Sequence, residues 1–148
     1  MAFYDEIDSS KKFRLGTRVK DSAANEYIYL TGVASTAAGS WVAYDELGIT
    51  QLLDADVAAS MVSPIAVAKA AVDASTEFGW YLIWGKGLAN VEASFADNSK
   101  IFANAVAGSS DDSGTAGNQI VGANGRSAIA SGQATVQLAY PVCGVNVA

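Results

Sequence analysis

The sequence predicts a mainly β domain: a compact antiparallel barrel or sandwich of short strands with an extended N-terminal arm. Three observations point there. Apolar residues recur in short alternating or β-branched runs; glycine punctuates those runs, 14 times in 148 residues; and no segment keeps a helical period long enough for a core helix. A chain of this length hides roughly two thirds of its unfolded surface without a disulfide or metal, so one core is expected. The division read from the sequence is an arm over residues 1–12 and a single β-rich domain over 13–148. Hydrophobic residues make up 51% of the chain, but many are alanine and valine, whose short side chains suit closely stacked sheets or close subunit contacts.

Taken in order, Met1 to Lys12 mix aromatic and charged groups without a period, and Phe3, Tyr4 and Ile7 are open to two readings, anchors of an arm that orders on a partner or groups that pack on their own domain. Phe13, Leu15, Thr17 and Val19 alternate on one face of a strand, and Asp21 to Asn25 reads as a turn because its short polar side chains bond nearby backbone. Glu26 to Val33 is rich in aromatic and β-branched residues and predicts a strand. After a turn at Ala38 to Ser40, Trp41 to Tyr44 has useful side chains on both faces, which predicts a strand covered on two sides. Thr50 to Ala59 is compatible with a turn of helix, Ser63 to Ala68 with a strand, and Lys69 to Ser75 with loop or strand. Phe78 to Gly85 is the most apolar run; strict alternation puts Trp80, Leu82 and Trp84 on one face, Tyr81 and Ile83 on the other, with glycines marking a turn or a close backbone approach. Leu88 to Ala93 is then expected to continue an antiparallel partner, and Ile101 to Gly108 comes after a turn at Asn98 to Lys100. Gly108 to Gly117 reads as a polar surface loop, Asn124-Gly125 as a tight hairpin turn, and Gln133 to Tyr140 as a strand with Ala134, Val136, Leu138 and Tyr140 inward.

The chemistry available is narrow. With no histidine, the commonest general base and metal ligand is missing, and a lone cysteine, Cys143, reads as a buried small hydrophobe and permits no intrachain disulfide. Asp54 with Asp56 and Asp111 with Asp112 are the nearest carboxylate pairs, but neither sits in an alternating calcium-ligand loop, and no cofactor or metal is expected. Gly85-Lys86-Gly87 and Gly122 to Gly125 lack the spacing of phosphate-binding loops. The formal charge of -6 argues against a nucleic-acid partner. The densest basic run, Lys11, Lys12, Arg14, Arg18 and Lys20, is open to two readings, ordinary solvated charge or a grip on an acidic protein surface. No secretory signal pattern opens the sequence and no apolar stretch reaches the length of a membrane span. Among the aromatics, core volume is the first reading; subunit interface, through Trp41, Tyr44, Trp80 and Trp84, and ligand platform are the others.

The runs Phe13 to Val19, Glu26 to Tyr29, Gly39 to Asp45 and Phe78 to Gly85, with the alanine- and glycine-rich tail through Val121-Gly122 and Ala134 to Leu138, resemble small virion proteins of tailed bacteriophages, the capsid decoration or cement proteins above all. That resemblance implies a non-enzymatic structural protein, made in the host cytoplasm and placed on the outer capsid. There it would bind the major capsid protein as a homotrimer and stabilise contacts between neighbouring subunits. It also implies a reaching arm, for which Phe3, Tyr4, Ile7, Lys11, Lys12 and Arg14 are the candidate contacts. The alternatives carried alongside are a tail or head–tail junction subunit, a carbohydrate-binding adhesin module with exposed tryptophans, and a hydrolase built on two carboxylates.

Overall fold

The computed structural model describes residues 3–145. Ten strands run in chain order: β1 (Arg18–Lys20), β2 (Glu26–Thr31), β3 (Trp41–Tyr44), β4 (Thr50–Leu52), β5 (Ser63–Ala68), β6 (Phe78–Asn90), β7 (Lys100–Ala103), β8 (Ser110–Asp111), β9 (Gln119–Gly125) and β10 (Gln133–Cys143). The α-helix among the described residues, α1 (Ala55–Ser60), spans little more than a turn, and 3-10 turns lie at Phe3–Asp5 and Ala116–Asn118. The mainly β, antiparallel expectation holds. The sheet is open, however, and does not close into a barrel.

Its plan is a fork. β6 is the stem: Leu82 pairs with Tyr27 of β2 on one edge and Val67 of β5 on the other, while Trp84 pairs with Glu26 of β2 and Ala139 of β10. One edge of β6 therefore serves β5 first and β10 further along. From β5 one branch continues to β3 and β4; from β10 the other continues to β9, β7 and β8. The branches meet again where Val142 pairs with Pro64. Both send inner-face side chains into one core: Trp41, Ile65 and Val67 from the first, Val136, Leu138, Ala123 and Ile101 from the second, with Tyr27, Tyr29, Trp80 and Leu82 from the stem and β2. A second cluster covers the opposite face of the stem, where Ile28, Leu30, Tyr81, Ile83, Val42 and Ala66 pack under Val72 of the 69–77 connection. The two-sided burial expected for Trp41 to Tyr44 is met, since Trp41 and Ala43 join the first cluster and Val42 and Tyr44 the second. Trp41 also donates its indole N–H to the Asn90 carbonyl at 3.1 Å, tying β3 to the far end of the stem.

Several sequence expectations are corrected. β6 runs unbroken through Gly85 and Gly87, so Leu88 to Asn90 continue the same strand. Asn124-Gly125 is no hairpin turn: it pairs with Gln137 and Val136 inside β9, and the reversal comes later, where Ser131 and Gly132 take positive φ. The polar segment from Gly108 contributes β8, with Ser109 and Ser110 buried. Thr50–Leu52 is strand before the short helix begins.

The N-terminal segment does not project from the domain either. Met1, Ala2 and the Phe3 side chain lie outside the described residues, but from Tyr4 onward the segment straps its own sheet. Tyr4 stacks on Tyr27 with centroids 4.7 Å apart, and Asp8 exchanges backbone hydrogen bonds with Phe78 at 2.8 and 2.9 Å. The Asp8 carboxylate is buried and engaged on both oxygens: it accepts from the Tyr29 hydroxyl at 2.7 Å and faces Lys12 Nζ at 3.1 Å. A charge in that position demands such partners, and this demand holds the strap down. Phe13 continues it, edge-on to Tyr29 at 5.3 Å.

Asp8→Ala leaves the buried Tyr29 hydroxyl without its acceptor, and we expect a loss of about 1–3 kcal/mol in urea unfolding; a variant as stable as the parent contradicts the strap. Burial, and then the bond to Asp8, push the Tyr29 hydroxyl up to about 12 from an ordinary 10.0. Because the folded value lies above the unfolded one, this stabilisation is complete below pH 10 and is lost as pH rises through 12. Tyr27 and Tyr81 are raised through burial as well and act in the same sense. The urea midpoint is expected to decline across that window, with Tyr29→Phe flattening the decline; a midpoint constant with pH rules the coupling out.

Candidate functional site

Strict alternation puts Trp84 on the face of Trp80 and Leu82, and Tyr140 inward with Leu138. The structure turns both out, each by its own irregularity. On β6, Leu82 faces Tyr27 but Trp84 faces Glu26, so an extra residue is inserted opposite β2. On β10, Leu138 faces Ala123 but Val142 faces Val121, so β10 carries more residues than β9 across that interval. Bulges of this kind shift side-chain parity and re-aim the residues beyond them. Trp80 and Leu82 face inward before the β6 irregularity; after it, Gly85, Gly87 and Ala89 take the inner positions opposite Leu138, Val136 and Ala134. Tyr140 marks the β10 irregularity with φ of 48°, a conformation costly for a bulky residue.

The two displaced rings meet on the outer face. Trp84 is 43% exposed and Tyr140 47%, with centroids 5.0 Å apart and planes inclined at 42°. Behind them Glu26 is only 5% exposed, and its carboxylate accepts the Tyr140 hydroxyl at 2.9 Å while its other oxygen lies 3.7 Å from Arg18 Nη1. The Arg18 guanidinium in turn sits 5.8 Å from the Tyr140 ring centroid, within cation–π range. That hydrogen bond to Glu26 raises the Tyr140 hydroxyl above the usual tyrosine range, and burial raises Tyr44 nearby.

Two concavities flank the ring pair. On the Arg18 side a groove of ≈ 760 Å³ is lined by Tyr44, Asp45, Glu46, Ile49, Val62 and Pro64, among others. On the Trp84 side a depression of ≈ 450 Å³ is lined by Trp84, Asn25, Lys86, Arg126 and Gln137, with Ala23, Ala24 and Gly85 completing it. Aromatic, cationic and apolar groups thus form one strip across the open part of this face.

The residues singled out from the sequence fall into three sets. Trp41 and Trp80, at 0% and 1% exposure, are enclosed in the core and keep no surface for a subunit contact; they supply the core volume that was the first reading of the aromatics. Tyr44 and Trp84 reach the outer strip. Ile7, Lys11, Lys12 and Arg14 are exposed along the strap, and Tyr4 is partly buried beneath it. One carboxylate of each pair is committed to structure: Asp54 caps α1 by accepting the Val57 N–H at 2.9 Å, and Asp112 accepts the Ala96 N–H at 3.0 Å. Among the described residues no group of three or more acidic, cysteine or histidine side chains is placed to hold a metal, and no helix is long and apolar enough to cross a membrane. Cys143 is buried, which raises its thiol. Tyr140, Glu26, Lys86, Arg126 and Gln137 were missed as site residues, because their roles depend on two bulges and a strand order that periodicity does not encode.

The fold and its outer strip define a mainly β domain with an aromatic, arginine-flanked surface. Comparison with family models, with curated proteins and with solved structures finds no match to the chain.

The positive φ at Tyr140 is backbone strain at the β10 irregularity. Tyr140→Gly is therefore expected to be more stable than Tyr140→Ala by about 1 kcal/mol, since both remove the ring but only glycine relaxes the backbone. Equal stabilities in denaturant melts would show that no strain is stored there.

Proposed function

We propose that the chain is a non-enzymatic structural protein that attaches to other protein surfaces through its outer strip. Following the resemblance seen in the sequence, we propose that it decorates the outside of a phage capsid and clamps neighbouring major capsid protein subunits, acting as a homotrimer. The observation that carries this reading is the exposed Trp84–Tyr140 pair with Arg18 beside it. Tryptophan, tyrosine and arginine are the residue types that dominate binding energy at protein interfaces. A ring already held in place, here Tyr140 by the buried Glu26 carboxylate, has little freedom left to lose on docking. The net charge of -6 favours a protein partner over nucleic acid. In this proposal the strip is the principal contact. Ile7, Lys11 and Arg14, exposed on the strap, supply a second one. Trimeric closure would multiply contacts that are individually weak.

The test is co-sedimentation with undecorated heads built from the major capsid protein of the same particle, with solution mass measured by light scattering. The parent is expected to bind as a trimer, and Trp84→Ala and Tyr140→Ala to lose more than about tenfold in affinity. Unchanged occupancy in both variants, or a parent that ignores heads and builds rings or tubes with tail proteins, overturns the proposal.

A further inference from the structure

No carboxylate lines the depression on the far side of Trp84, while Lys86 and Arg126 both do, and among the cavities of the described residues it alone combines such a pair of cations with an exposed indole. Lys86 and Gln137 are direct cross-strand partners, and Trp84 lies on the same face two residues before Lys86. The side chains are held by one another. Arg126 donates its Nε–H to Gln137 Oε1 at 2.9 Å and an Nη1–H to Asn98 Oδ1 at 2.9 Å. Asn25 Oδ1 accepts the Lys86 backbone N–H at 3.0 Å, and Asn25 Nδ2 donates to Asp21 at 3.2 Å. These bonds use acceptors and leave donors: Gln137 has spent its carbonyl oxygen and keeps its NH₂, Arg126 has N–H groups beyond the two engaged, and the Lys86 ammonium carries three. A concavity with donors to spare, two positive charges and a flat indole wall suits an anion mounted on a ring.

We propose that this depression is a binding site for an acidic saccharide, with a carboxylated pyranose laid against Trp84 and its carboxylate held by Lys86 and Arg126. The volume of ≈ 450 Å³ lies within the range of small-ligand sites. A pyranose offers the indole an apolar C–H face and the amides its hydroxyls, so it covers the wall and meets the cations together. An aspartate or glutamate side chain would meet the cations and leave the indole bare. Charge-assisted bonds to the carboxylate are the stronger part of the recognition. This proposal does not rest on capsid attachment; because both use Trp84, saccharide and capsid would compete for it.

Tryptophan fluorescence of the full chain reads the site directly, because Trp41 and Trp80 are enclosed and Trp84 alone of the three is exposed. The probes are oligogalacturonate and N-acetylneuraminic acid, with neutral galactose oligomers and an oligoglutamate peptide as comparisons. The expected result is a saturable change with an acidic sugar, weakened by salt and about tenfold weaker for the neutral sugar. Lys86→Ala and Arg126→Ala, checked for an unchanged near-UV circular dichroism spectrum, are expected to weaken acidic-sugar binding by a similar factor. The proposal is overturned by no saturable response to either acidic sugar at tens of millimolar, by equal affinity for the neutral sugar, or by oligoglutamate binding as well as the sugars do. The last outcome would make the depression a plain anion site for acidic protein segments.

Discussion

The rest of the structure depends on a single constraint: one edge of β6 has to serve two strands in succession. β5 occupies that edge at Tyr81 and Leu82, and β10 takes it over from Trp84 to Asn90. At this handover backbone is inserted on both strands, on β6 opposite β2 and on β10 opposite β9. It is inserted between Leu82 and Trp84 on the stem and at Tyr140 on β10, where Ala139 leaves β6 and Val142 joins β5. Gly85, with φ of 104°, is needed there twice over: the conformation suits glycine, and an added Cβ would collide with Asn25. The exposed ring pair is thus a by-product of the branch point, which gives it a rigid base of hydrogen-bonded strands.

The same handover sets how the core is filled. Beyond the branch, the stem's inner positions are Gly85, Gly87 and Ala89, which contribute almost no volume, and the facing strand supplies Leu138, Val136 and Ala134. Before the branch the stem supplies Trp80 and Leu82, against Tyr27 and Tyr29 of β2. Large side chains thus meet large ones before the branch and glycine or alanine beyond it, and close packing is reached without many leucines. The small, alanine-rich composition that predicted stacked sheets is used inside one sheet folded over a shared core.

How much of this was legible depends on the kind of signal each feature leaves. β2, β3, β5 and the start of β6 were readable, because their side chains obey a period of two and are buried on both faces by the fold itself. The inward placement of Ala134, Val136 and Leu138 was equally legible. Trp84 and Tyr140 were misplaced by that same rule, since a bulge changes parity without changing composition. Asn124-Gly125 carried the local chemistry of a turn, yet Asn124 lies opposite Gln137 in a ladder whose pairing on both edges outweighs the dipeptide's preference. The strap looked like an arm because Asp8 gives no sequence hint of burial. Its partner, the Tyr29 hydroxyl, is 21 residues away.

Charge placement ties the fold to the outer strip. Of the basic run near the N-terminus, Lys12 is drawn to Asp8 and Arg18 to Glu26, while Arg126 and Lys86, far apart in sequence, are brought together around Gln137. Glu26 is the hinge of that arrangement: nearly buried, it anchors Arg18 and Tyr140 at once, and so fixes both the cation and the ring from beneath. The acidic side chains Asp45 and Glu46 line the neighbouring groove with Arg18, so the strip changes sign from one end to the other with the aromatic pair between. A surface so divided discriminates by orientation as well as by contact, because a ligand or partner docked the wrong way round would set like charges against each other at both ends.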